Sequence, residues 1–160
     1  MKQILGITIA LTLCASQVAA LSCMRPDVAE SYNRAATSED EYVVLLGTFD
    51  FDTPQQRSTD SNAPDTLRAV AQFSGTYLGA SGFTAAPPLA VTLVFNCAGP
   101  WCGSLPSDGP DVLAFVQQTA DGYILDVEPC GGTAFIEPDA KDIARVEDCM
   151  RGGTCAPLDR

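Results

Sequence analysis

Apolar and polar positions along this chain follow two periods, and the order in which the periods alternate sets the expected architecture. Residues 26–36 carry Val28, Tyr32 and Ala35 on one face at helical spacing. Pro26 suits a first helical position and Asp27 complements the helix dipole. Residues 42–52 then read as a strand: Val43 to Leu46 form a buried run, Gly47 a bulge, and Phe49 and Phe51 alternate with Asp50 and Asp52. Residues 53–66 have no apolar period and read as a long polar loop. Alternation resumes over 67–78, where Leu67, Ala69, Ala71 and Phe73 stand against Arg68, Gln72 and Ser74. A turn at 79–82 and an extended lead-in at 85–88 precede a strongly apolar strand at 89–96 that ends on Cys97. Residues 99–110 are rich in glycine and proline and read as a loop. Strands at 112–118 and 123–128 flank an Asp121-Gly122 hairpin turn. The clearest helix is 137–150, with Pro138 at its start, Asp139 in its first turn, an apolar face of Ile143, Val146, Cys149 and Met150, and Gly152-Gly153 beyond its end.

This order predicts a mainly β fold. Five antiparallel strands of such length suit a small closed barrel, because closure removes exposed edges. A short N-terminal helix and a C-terminal helix complete it.

The first twenty residues carry a different signal. Lys2 precedes an apolar run from Ile4 to Leu13, and small residues follow up to Ala20. A basic start, a short apolar core and an A-x-A-like end describe a secretory signal peptide. The run is too short for a membrane-spanning helix, which needs about 20 apolar residues. The expected organisation is therefore a removed signal peptide at 1–20 and one globular domain at 21–160, located in the periplasm or secreted. A second cleavage position after Ser22 would make Cys23 the first residue. No later stretch is apolar enough to insert into a bilayer.

Charge and composition narrow the function. Nine Lys and Arg face 20 Asp and Glu, for a net charge of −11. Such a surface repels phosphate backbones and anionic headgroups, which argues against nucleic-acid and membrane partners. The chain has no histidine. Histidine is the usual general base near neutral pH and the commonest metal ligand, so Ser-His-Asp, Cys-His and His-based zinc sites are excluded.

Of the seven cysteines, Cys14 would leave with the signal peptide, and Cys23, Cys97, Cys102, Cys130, Cys149 and Cys155 remain. An even count in a small exported domain reads as a disulfide framework, with about 15 possible pairings. Local geometry favours Cys97 with Cys102 across a turn-forming stretch and Cys149 with Cys155 across a helix end, which leaves Cys23 with Cys130. Pro100-Trp101-Cys102-Gly103 resembles the Trp-Cys-Gly of thioredoxin-like sites, which would make Cys97 and Cys102 a redox pair. Their spacing has four intervening residues where that motif has two. No C-x-x-C exists to build a thiolate zinc site, and no cofactor or metal is expected. Asp50 with Asp52, and Asp126 with Glu128, are same-face carboxylate pairs of the kind that bind hard cations or act as acid and base. On strands of an acidic protein they read first as a solvated face. Trp101, with Pro100 and Gly103, is the best binding candidate, because tryptophan is enriched at interface hot spots.

The early Cys23, the strand Val43 to Gly47, the strand running from Val91 into Cys97, Leu113-Ala114-Phe115, Cys130 closing a strand and the final helix together resemble a netrin-like module. That is the OB-type barrel shared by netrin C-terminal domains and tissue inhibitors of metalloproteinases. The segments "LSCMRPDVAESY" and "GPWCG" look like an uncharacterised family of exported alphaproteobacterial proteins. The first resemblance implies a five-stranded OB-like barrel stapled by disulfides, and an inhibitory role for Cys23 if it were N-terminal, chelating a target zinc through its amine and carbonyl. The second implies a Gram-negative periplasm and no known activity. The expected function is a non-enzymatic binding or accessory domain acting on an unknown protein or small ligand outside the cytoplasm. Its contact regions would be the loops at 53–66 and 96–109, with a thiol-disulfide enzyme or a protease inhibitor as alternatives.

Overall fold

Strands form in this protein where β-branched and aromatic residues alternate, and the computed structural model describes them within residues 22–54, 66–107 and 109–158. Strand β1 is Glu41–Asp50, β2 Thr66–Gly79, β3 Gly82–Ala85, β4 Leu89–Ala98, β5 Trp101–Cys102, β6 Val112–Thr119, β7 Gly122–Val127 and β8 Ala134–Ile136. Helix α1 is Val28–Ala36 and α2 is Ala140–Met150.

Five of these strands close into a barrel in the order β1-β2-β4-β7-β6 and back to β1. This is the expected OB-like barrel, with one departure. The pairing of β4 with β7 is parallel, Val91 opposite Tyr123 through Phe95 opposite Val127. A ring with an odd number of strands cannot alternate direction all the way round, so at least one neighbouring pair must run parallel. Three short strands were not read from the pattern: β3 extends the β2 hairpin, β5 folds back on β4, and β8 runs beside β6.

The interior is filled by every second residue of each barrel strand, as a pleated strand requires. Phe49, Phe73, Val91, Leu93, Val116 and Leu125 are all at most 1% exposed. The Phe49 and Phe73 rings lie 5.1 Å apart. A second core lies outside the barrel, where both helices cover it. Val28 of α1 and Val146 of α2 meet Val44, Leu78, Leu113 and Phe115 there. Strands β1 and β6 are thus buried on both faces, which is why Val43 to Leu46 reads as a continuous apolar run. Tyr32 and Ala35 complete the α1 face as its spacing predicts.

Gly47 is not a bulge. Its register continues unbroken, with Gly47 opposite Gly75 and Thr48 opposite Ser74. Glycine is needed there because the two strands touch: a Cβ on Gly47 would run into the Ser74 carbonyl and stand 2.7 Å from the Gly75 Cα. Both helices also begin slightly later than expected. Asp27 and Asp139 are N-caps, each side chain accepting two backbone N–H groups, so Pro26 and Pro138 precede the helices. Helix α2 ends with Gly152 at φ 78°, where the Gly152 and Gly153 N–H groups donate to the Cys149 and Asp148 carbonyls.

Three disulfides staple the fold: Cys23–Cys130, Cys97–Cys102 and Cys149–Cys155. They are the pairs that local geometry favours, and such bonds persist in oxidising compartments. Among the described residues no helix is long and apolar enough to cross a membrane.

Asp27 ties the two ends of the described chain together. It receives Arg145 through both terminal guanidinium nitrogens at 3.1 Å and the Leu158 N–H at 3.2 Å. Burial would raise its pKa, but the hydrogen bonds from Arg145, Glu30 and Leu158 and the Arg145 charge outweigh that and hold it at about 2. Arg145 also donates to the Ala156 carbonyl, and the Asn33 amide to that of Cys155.

Candidate functional site at the barrel mouth

Several elements end or begin at one rim of the barrel. Strand β1 runs out toward Phe51, β2 starts at Thr66, and β4 and β7 end near Phe95 and Val127. From there β4 continues as a tight hairpin with β5, placing Cys97 opposite Cys102 and Ala98 opposite Trp101. Gly99, first residue of the two-residue turn, has φ 60°, the sign such hairpin turns require. The turn is pinned by the Cys97–Cys102 disulfide, and Trp101 is left 54% exposed.

Past the hairpin the chain bends inward. The Gly103 N–H donates to the Asn96 carbonyl at 2.8 Å. Gly103 packs so closely on the Val127 carbonyl that no side chain fits at this position. Leu105 then turns into the barrel end and is 8% exposed. Between these walls lies a half-open cavity of about 220 Å³, lined by Phe51, Thr53, Pro54, Leu67, Phe95 and residues 102–105. The Phe51 and Phe95 rings stand 5.8 Å apart as part of its floor. Thr53 Oγ1 donates to Ser107 Oγ at 3.4 Å, which joins the two loop regions across the rim.

Trp101 and Pro100 are exposed beside this mouth, whereas Gly103 is buried in its wall and acts by letting backbone approach backbone. Cys102 contributes to the wall as half of a disulfide. Phe51, Leu67, Phe95 and Leu105 were not singled out from the sequence, because each carries the ordinary signature of a core position. Leu105 had one available signal, an isolated aliphatic residue inside a Gly/Pro-rich loop. Residues 55–65, the middle of the expected 53–66 contact loop, lie outside the described residues.

The carboxylates form no comparable site. Asp126 and Glu128 share the Asn96 amide, which donates to them at 3.4 and 2.7 Å. Asp50 and Asp52 are exposed on the far side of β1 from Phe49 and Phe51. No cluster of metal-ligating side chains occurs among the described residues. Burial, with the nearby charges of Asp40 and Asp126, pushes the Tyr42 phenol above its ordinary value and keeps it neutral. Cys23 is bonded to Cys130.

The cavity therefore offers apolar contact, two hydroxyls (Thr53 and Ser104) and no charged wall residue. That arrangement suits binding an uncharged group. The chain matches no protein-family model, no curated protein and no solved structure.

Proposed function

We propose that this is an exported, non-enzymatic binding or accessory module that works outside the cytoplasm, in the periplasm or after secretion, and engages its ligand through the barrel mouth. The observation that carries the reading is the apolar cavity enclosed where both candidate loop regions meet, with the exposed Trp101 beside it. Concave apolar sites with a few placed polar groups are where small groups bind, and tryptophan is enriched at contact hot spots. The three disulfides support the export reading. The test is a titration of the oxidised protein with toluene, a neutral apolar probe, followed by amide and methyl NMR shifts. The reading predicts saturable shifts confined to Phe51, Leu67, Phe95 and residues 102–105. Absent or scattered shifts overturn it.

A second reading, thiol–disulfide exchange at Cys97–Cys102, draws on the position of Cys102 in the cavity wall. It predicts that mild reductant frees these two thiols for alkylation while the other two disulfides stay closed, and that the reduced pair then passes its electrons to an added protein disulfide. An oxidised pair under those conditions removes it.

A further inference from the structure

The size and surroundings of the barrel mouth identify what kind of group it takes. A cavity of about 150 Å³ lined by aliphatic and aromatic side chains is enough to hold benzene. At about 220 Å³ this one holds a single phenyl-sized side chain with some room. Pockets that enclose a whole small ligand run from about 300 to 1,000 Å³, so the mouth takes an anchor and leaves the rest of its ligand outside. The sequence between Pro54 and Thr66 holds no apolar side chain larger than Ala63 and Pro64, so that stretch carries no such anchor. The charge around the rim has one dominant sign. Asp50 and Asp52, exposed on the outer surface on either side of the inward-facing Phe51 in the chain, and Glu128, which follows the Val127 carbonyl on which Gly103 packs, stand against Arg68 beside Leu67. The whole chain carries a net −11.

Resting on the barrel-mouth reading, we propose that the ligand is a polypeptide segment that inserts one aromatic side chain into the cavity and places basic residues beside it against the acidic rim. The aromatic ring supplies the buried anchor that dominates such contacts. The basic neighbours supply orientation and a faster, salt-sensitive encounter. Trp101, exposed next to the mouth, covers the flanking backbone of the segment.

The experiment uses the exported, fully oxidised protein and four probes: acetylated and amidated Gly-Lys-Phe-Lys-Gly, the same peptide with Ser for Phe, the same peptide with Glu for both Lys, and toluene. Trp101 is the only tryptophan, so its fluorescence reports the rim directly, and NMR shifts report the cavity. The Lys-Phe-Lys peptide is expected to bind with a sub-millimolar Kd. The Ser peptide should bind at least tenfold more weakly. The Glu peptide should bind at least fivefold more weakly at low salt, a gap that closes as salt rises. Ser104→Phe adds a ring to an exposed wall residue and should abolish peptide binding. Should that variant not fold, competition between toluene and the peptide for the same resonances is the second measurement. Toluene binding without peptide binding overturns the polypeptide inference and leaves the barrel-mouth site standing. Binding of neither overturns both. Equal affinity for the Lys and Glu peptides overturns the basic partner.

Discussion

Asp27 offers a prediction that separates charge from packing, because one near-isosteric change removes the charge and keeps the size of the side chain. Asparagine is as good an N-cap as aspartate, so Asp27→Asn keeps the bonds to the Ala29 and Glu30 N–H groups. What it loses is the anion facing Arg145, in a pair whose side chains are 25% and 6% exposed, together with the second oxygen that accepts from Arg145 Nη1 and the Leu158 N–H. The carboxyl sits at about 2 against an ordinary 3.8. At roughly 1.4 kcal/mol per pH unit, that difference makes the ionised form worth about 2.5 kcal/mol to the folded state. Breaking a fully buried pair costs about 3–5 kcal/mol, and the partial exposure of Arg145 places this one below that range. Because the folded pKa lies below the unfolded one, the contribution is complete above about pH 5 and is lost as pH falls through 2. The variant should therefore be about 2 kcal/mol less stable at pH 7 and 5. The gap should shrink to about 0.5 kcal/mol at pH 2, where half of the folded Asp27 carboxyls are protonated. The assay is equilibrium urea unfolding at pH 7, 5, 3 and 2 with the disulfides intact. At a slope of about 1–3 kcal/mol per molar urea, the midpoint at pH 7 should move by about 0.7–2 M. A stability gap that stays constant from pH 7 to 2 would refute the electrostatic account and return the effect to packing.

Removing Cys23–Cys130, which spans 107 residues, should cost on the order of 4–5 kcal/mol in the chain-entropy account, and losing Cys97–Cys102, which spans 5, clearly less; paired urea curves of the serine variants check the order. Gly103→Ala drives a Cβ into the Val127 carbonyl and should lower stability by about 1–3 kcal/mol, seen as a fall in Tm by calorimetry; an unchanged Tm means the two backbones do not meet. Trp101→Ala, at a site 54% exposed, should leave the circular dichroism spectrum intact and shift stability by less than about 1 kcal/mol while weakening capture of the Lys-Phe-Lys peptide; a loss of folding would place the indole in the core.

The barrel strands were legible from two signals: alternation where one face meets solvent, as in β2, and unbroken apolar runs bounded by turn residues where both faces are covered, as in β1 and β6. Ala71, Phe73, Val91, Leu93 and Phe95 fall inside as their alternation predicts. The short strands were not legible because two to four residues cannot show a period. β5 and β8 pair only along lengths that turn signals such as Gly99-Pro100 and Gly131-Gly132 mask. Gly47 misled for a related reason. A glycine inside a strand signals either a bulge or a close backbone approach, and only the partner strand decides between them. Here Gly75 stands opposite, and the two glycines meet without an inserted residue.

The candidate site was invisible for a topological reason that follows from the order of the barrel strands. Closing β1-β2-β4-β7-β6 places β7 between β4 and β6, so the chain leaving β4 must cross the end of the barrel to start β6. That crossing, residues 99–111, is rich in glycine and proline because it has to turn sharply at each side. It carries one aliphatic side chain, Leu105, to close an opening framed by Phe51, Leu67 and Phe95. One leucine does not fill that opening, and the cavity is what remains. Each lining residue therefore looks like core in its own segment, and the vacancy exists only in their sum. Trp101 differs: its segment offers no apolar period to absorb it, and sequence and structure both leave it, with Pro100, facing outward.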